Sequence, residues 1–299
     1  MLYAKKLKYY DIFTKLELLI KRTNVFNIIK LPNYMNNNKK KILVPTDFNT
    51  PATYALQHAI RVSGVVGETI ALIHVVPSAG SIEQAKAKLD QVANESEQKF
   101  GITLERIIKV GDIAEEIAKT AVEINASIVI MGSASVKGKQ DLSNLPTLKV
   151  ITKSRVPFIT IQEPPVNKRY DDIIFPIDFT IENKEKHSWI SYFCDYYVSK
   201  FHLIRPNVSD PELVAKIDLN MASAIRFLDE KGAKYQVYTA PGTKSFAEEV
   251  LNIAVNIRAD LIVIMTTKES DDSSYILEPH EQTIIGYAGH IPVMSINPR

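Results

Sequence analysis

The chain has one cysteine in 299 residues. This excludes an intramolecular disulfide and fits a reducing compartment, so a cytoplasmic location is expected. That cysteine, Cys194, lies in an aromatic-rich helical stretch and reads as a small core residue. No run of residues is long and apolar enough to cross a bilayer. The catalytic signatures that can be read from short motifs are also missing. There is no Walker loop, no Gly-x-Ser-x-Gly, no His-Glu-x-x-His and no dinucleotide fingerprint. Strong net charge is missing too, the formal balance being +2.

That small net charge hides an asymmetry. Residues 1–41 carry ten basic side chains against two acidic ones, a balance of +8, which leaves −6 for the rest. The body of the protein is therefore mildly acidic, and neither nucleic acid nor an anionic membrane is expected as its partner. Residues 1–38 form a basic N-terminal extension. In it, Ile12, Phe13, Leu16, Leu19 and Ile20 recur at helical spacing. One reading is a basic amphipathic surface helix that touches a membrane or a partner. The other is an extension upstream of a start at Met35. It does not read as a secretory signal, because Lys15 and Glu17 break the apolar run.

What the chain does contain is a repeat. Lys40–Phe48 (Lys-Lys-Ile-Leu-Val-Pro-Thr-Asp-Phe) returns as Asp171–Phe179 (Asp-Asp-Ile-Ile-Phe-Pro-Ile-Asp-Phe). Ile128–Met131 matches Ile262–Met265, Val156-Pro157 matches Ile291-Pro292, and His74 is paired with His202. A period this long is a domain written twice. The boundaries read 39–163 for the first domain, 164–170 for a linker containing Pro164-Pro165, and 171–299 for the second.

Within each copy, short apolar runs alternate with helical patterns. Strands are expected near Ile42–Thr46, Thr69–Val76, Thr103–Val110, Ser127–Met131 and Pro157–Ile161. The first helix is expected to be capped by Thr50 and stopped by Gly64; others cover Ile82–Phe100, Asp112–Ile124 and Pro146–Lys153. Such alternation implies right-handed crossovers and mostly parallel sheets with helices on both faces.

In a doubly wound sheet, ligands bind beyond the C-terminal strand ends, at the switch point. Pro45-Thr46-Asp47, Val75-Val76 and Met131-Gly132-Ser133 stand there. An Asp after the first strand can accept hydrogen bonds from a ribose or a base, or can cap the first helix. The Gly132 loop can offer backbone N–H groups to phosphate, since a residue without Cβ allows close approach. His74, in a buried-looking strand, reads as a hydrogen-bonded core residue, and His58 has no evident partner.

The order of these pieces (Lys41–Phe48, Ala55–Ala59, Leu72–Val76, Gly111-Asp112, Ile128–Ser133 and Val156–Phe158) resembles the universal stress protein (UspA) family. The likeness is clear over 40–162 and weaker over 171–297. It implies two tandem Rossmann-like (HUP-type) open parallel five-stranded sheets with helices on both faces, packed as a pseudo-twofold pair. The last strands are then candidates for pairing across the two copies. An intramolecular pseudo-dimer follows, and a further homodimer stays open.

The resemblance also implies an adenine nucleotide, ATP with Mg or AMP. Asp47 would meet the base or ribose, and Val75 would pack near the adenine. A glycine-rich loop beginning at Met131-Gly132 would wrap the phosphates. Two positions depart from the family pattern: Ser135 stands at the next glycine, and Asn144-Leu145 at the Gly-Ser pair. Gly138 is out of register. Nucleoside or AMP binding is therefore expected to survive better than ATP binding.

In the second copy Asp178 is kept, but no glycine lies between Met265 and Gly286, and Glu269, Asp271 and Asp272 stand where phosphate would sit. No nucleotide is expected there. These three are expected to be a solvated loop, and neither a metal site nor a catalytic group is assigned. The function expected is a stress-response protein that acts by binding, without turnover. Alternatives are a weak nucleotide hydrolase, a receiver-like phospho-acceptor at Asp47, and an interaction scaffold whose protein partner the sequence does not name.

Overall fold

A computed structural model of the protein describes residues 40–134, 142, 145–167, 169–180, 186–268 and 275–298. Outside these residues lie the readings of the N-terminal segment and of the acidic loop at Glu269, Asp271 and Asp272. Ser135, Gly138 and Asn144 lie outside them as well.

The first half runs β1 (Lys41–Pro45), α1 (Thr50–Val66), β2 (Thr69–Val76), a 3-10 turn (Ala79–Ser81), α2 (Ile82–Phe100), β3 (Leu104–Val110), α3 (Ile113–Glu123), β4 (Ala126–Gly132), α4 (Pro146–Lys153) and β5 (Phe158–Ile161). The second half repeats the order. It runs β6 (Asp172–Pro176), α5 (Lys186–Tyr196), β7 (Lys200–Arg205), α6 (Pro211–Lys231), β8 (Lys234–Thr239), α7 (Phe246–Asn256) and β9 (Leu261–Met265). A hairpin of β10 (Thr267–Lys268) and β11 (Tyr275–Ile276) follows, then α8 (Pro279–Tyr287) and β12 (Val293–Ile296).

One ten-stranded sheet carries both halves, in the order β3-β2-β1-β4-β5-β12-β9-β6-β7-β8. Neighbours within each half are parallel, and the seam between β5 and β12 is antiparallel, with Ile159 opposite Met294. Each half keeps the same doubly wound order, so the switch points fall between β1 and β4 and between β6 and β9. The seam gives each terminal strand a partner for its backbone and removes two sheet edges. One apolar cluster fills the face under α1, α2, α5 and α6. A second fills the face under α3, α4, α7 and α8.

The strand register corrects two details of the repeat. Ile42 pairs with Ile128, and its counterpart Ile173 pairs with Leu261. Ile128 therefore corresponds to Leu261, and Gly132 to Met265. Similarly, Pro45 lies opposite Ile73 and Pro176 opposite Ile204, so the counterpart of His74 is Arg205, not His202. His202 sits three residues earlier, at the position of Ala71 and on the other face of the sheet, where it bonds Asp172 Oδ1 at 2.7 Å and the Tyr238 hydroxyl at 3.0 Å.

The limits of the first helix also differ from expectation. Asn49, not Thr50, is its N-cap, accepting from Ala52 N at 2.8 Å. Gly64 does not stop it, because a lone glycine inside a helix costs only about 1 kcal/mol. The helix ends at Gly67, whose φ of 75° is the left-handed conformation that closes helices.

Candidate functional site

β1 ends in Pro45, and the chain then turns sharply into α1. The turn is pinned from below by His74, at the end of β2. His74 Nδ1 bonds the Thr46 carbonyl at 2.7 Å, which fixes Nδ1 as the protonated nitrogen, and its ring lies 4.4 Å from the Phe48 ring. Phe48 adopts a φ of 66°, a strained conformation for a bulky residue that costs of the order of 1 kcal/mol or more. The contact with His74 and a bond from Phe48 N to Thr46 Oγ1 at 3.1 Å hold it there. His74 is thus a hydrogen-bonding support for the turn.

Asp47 stands at the crest of this turn, exposed. Its Oδ1 accepts from Asn49 N at 3.1 Å and its Oδ2 from Asn49 Nδ2 at 2.7 Å. Because Asn49 takes the capping role, Asp47 is not committed to the helix. Each of its oxygens keeps acceptor capacity for a second donor.

Strand alternation sorts the remaining residues by face. Val75 and Met131 are half-buried and pack on the cluster beneath α3 and α4. Pro45 follows Leu43 of that same cluster at strand spacing, so Pro45, Val75 and Met131 line one face of adjacent strand ends. Thr46 and His74 belong to the opposite face. The structure therefore gathers the expected residues in two groups, an apolar wall and a polar turn above it.

Gly132 has a role that its sequence context did not reveal. A Cβ placed on it would come within 2.5 Å of the backbone of Pro51 and Ala52. Its bareness admits the first turn of α1 against the end of β4. Ser133 follows, 2% exposed, with its backbone N–H bonded to the Ile161 carbonyl; among the described residues its hydroxyl has no hydrogen-bond partner. A buried hydroxyl left in this way is an expensive arrangement unless something else bonds it.

The equivalent place in the second half is built differently. Met265 stands where Gly132 does, buried. Lys186, the counterpart of Ala55, is 2% exposed and its Nζ donates to the Pro176 carbonyl at 2.5 Å. Glu281, at the start of α8, is 4% exposed, accepts from Glu278 N, and lies 3.5 Å from His280 Nε2. Burial pushes the Lys186 ammonium down and the Glu281 carboxyl up, while Asp178 favours the charged form of Lys186. Asp178 itself accepts from the backbone and hydroxyl of Thr180. At these strand ends Lys186 and Met265 thus stand where the first half has the small residues Ala55 and Gly132. Lys186 was not anticipated, because only its burial marks it and a lone Lys in an amphipathic pattern gives no sign of that. Pro279-His280-Glu281 reads from sequence as a helix start where a Glu is favourable, and Glu281 does stand in the first turn of α8, but buried.

Among the described residues, no group of three His, Cys, Asp or Glu side chains could hold a metal ion, and no helix is long and apolar enough to cross a membrane. Cys194 is half-buried and packs against the core cluster.

The class defined by this geometry is a doubly wound α/β fold, present twice. The Universal stress protein family model matches residues 39–161. A universal stress protein of Methanocaldococcus jannaschii is 30% identical over 154 residues, an alignment covering 41% of this chain and 94% of the relative. A universal stress protein of Archaeoglobus fulgidus superposes with a TM-score of 0.69 at 21% identity, covering 88% of this chain and 99% of its own. A putative universal stress protein of Pseudomonas aeruginosa gives 0.61 at 14% identity, covering 88% and 94%. The chain belongs to the universal stress protein family. Its fold over both halves is shared with solved structures of double length.

Proposed function

We propose that the protein is a stress-response binding protein whose first half takes an adenine nucleotide at the ends of β1, β2 and β4, without turning it over. One observation carries this reading. Asp47 is presented on a braced turn with spare acceptor capacity, beside the apolar wall of Pro45, Val75 and Met131. A flat base with an adjoining diol suits such a wall and carboxylate, because pockets of this kind combine apolar surface with few convergent polar groups. If ATP binds, Mg would accompany its phosphates, and Ser135 and Asn144 are the residues that family resemblance places nearest them. The second half takes no nucleotide in this reading, since Lys186 and Met265 stand in place of Ala55 and Gly132 at the corresponding strand ends.

The same geometry favours binding without turnover. Asp47 is tied to Asn49 through both oxygens, which suits recognition of a hydroxyl better than activation of water. The test is paired. AMP, ADP and ATP with Mg are titrated calorimetrically into the full chain, and product is sought after long incubation with ATP. Expected are binding with AMP at least as tight as ATP, and no product above that of a chain carrying Asp47→Ala. Steady Asp47-dependent release of phosphate would replace this reading by a slow hydrolase.

A further inference from the structure

A cavity of about 500 Å³ lies away from the Asp47 turn, where α1 of the first half meets the linker and the N-terminal strand ends of the second half. This volume falls within the usual range for small-molecule sites, roughly 300–1,000 Å³. Its walls are mainly apolar, with Val62, Tyr197, Tyr287 and Ile291 among them. Three arginines, Arg61, Arg169 and Arg258, line it as well. Arg169 makes an exposed pair with Asp171 at 3.4 Å. Among the described residues, no carboxylate lies within ion-pair distance of Arg61 or Arg258. The one buried acid of the lining, Asp260, is engaged by the backbone N–H groups of Asp171 and Asp172 and by Asn167.

The polar floor of the cavity is a relay. Arg61 Nη2 lies 3.4 Å from His58 Nδ1, and His58 Nε2 lies 2.5 Å from the Tyr170 hydroxyl. A guanidinium can only donate, so His58 Nδ1 accepts and its proton is on Nε2, facing Tyr170. The Tyr170 oxygen then accepts, and its own O–H is left as a donor. Tyr170 is 4% exposed; its carbonyl accepts from Ser199 Oγ, and its hydroxyl has no hydrogen-bond partner besides His58 among the described residues. A buried donor without an acceptor calls for a ligand to supply one.

The second half does not repeat this site. With strand pairs Lys41–Thr69 and Asp172–Lys200 in register, His58, Arg61 and Val62 correspond to Trp189, Tyr192 and Phe193, whose rings pack on one another. Aromatic bulk stands where the first half has a histidine, a guanidinium and a small valine.

We infer that this junction cavity is a second ligand site, for a small anion with a flat apolar body, such as an aryl or acyl carboxylate, sulfonate or phosphate. Arg61 and Arg258 hold the anionic end, the tyrosines and aliphatic side chains take the body, and the Tyr170 hydroxyl donates to an acceptor on the ligand. A guanidinium suits this role because its planar fork matches oxyanions. The site draws residues from both halves, so occupation would stiffen the linker between them.

The probe is anilinonaphthalene sulfonate, with uncharged phenylnaphthylamine as its neutral counterpart, added to the full chain and followed by fluorescence. Saturable binding of one sulfonate dye per chain is expected. Arg61→Gln with Arg258→Gln should weaken it tenfold or more, while the neutral dye changes less than twofold. Tyr170→Phe should weaken it a few-fold, with the melting temperature reporting that each variant is folded. Asp47→Ala should leave dye affinity unchanged, and AMP should not compete. No saturable binding, an affinity indifferent to the two arginines, or loss of the dye in Asp47→Ala would each overturn the assignment. The last of these would place the dye at the nucleotide site instead.

Discussion

His58 shows how one buried side chain sets the response of the whole chain to acid. Burial, aided by the Arg61 charge, lowers it to about 3 from an ordinary 6.5. Between these values the unfolded chain binds a proton that the folded chain refuses, so stability falls as pH falls through that window, by about 1.4 kcal/mol per unit. Urea unfolding at pH 7.5 and pH 5.0 checks this. The natural chain should lose about 2 kcal/mol more than a His58→Gln variant over that interval, and equal losses would contradict it. From sequence, His58 was a histidine without a partner, because its partner Tyr170 is 112 residues away. Asp47 was legible at once, since it ends an apolar run and returns at Asp178. Its release from capping was not, because the choice between Asp47 and Asn49 depends on the bend that His74 and Phe48 impose.

At the scale of elements, the decisive contact is that between the end of β4 and the first turn of α1. Gly132→Ala would drive a methyl into the Pro51–Ala52 backbone. Overpacking against backbone costs about 1–3 kcal/mol, so the unfolding free energy should drop by about the upper end of that range, with a lower denaturation midpoint. An unchanged midpoint would show that the contact yields freely. Asn49→Ala removes the cap of α1 and should cost about 1 kcal/mol, while also freeing Asp47 from its turn. Its nucleotide affinity should fall with its stability. Helices and strands could be located in the sequence to within a few residues, because apolar periodicity and capping residues such as Asp112, Ser245 and Asp210 mark them. The hairpin of β10 and β11 escaped, since two-residue strands have no period. The matching of Ile128 to Ile262 failed by one residue because similar apolar letters in β4 and β9 conceal the shift. Hydrogen-bond register alone, through Leu261, reveals it.

At the scale of the molecule, the β5–β12 seam makes two halves into one sheet. Gln162 reinforces it, its side chain donating to the Gly286 carbonyl and accepting from Gly289 N. Asn297 does the same from the other side, donating to the Ile151 and Ser154 carbonyls. The two halves should therefore unfold together. The single tryptophan, Trp189, reports on α5 of the second half, whereas far-ultraviolet circular dichroism reports on both. Coincident urea transitions are expected, and a tryptophan transition displaced from the dichroism would show independent halves. The outer edges, β3 and β8, carry Glu105, Arg106, Lys109 and Lys234, charges that discourage pairing with another chain.

The two halves share a fold but differ at their strand ends: small residues and a braced aspartate in the first, Lys186, Glu281 and Met265 in the second. Calorimetric titration of AMP into the full chain, alongside Asp47→Ala, tests this difference most directly. One AMP per chain, abolished in Asp47→Ala, is the result expected. Two equivalents per chain, or binding that persists in Asp47→Ala, would contradict the placing of the nucleotide in the first half alone.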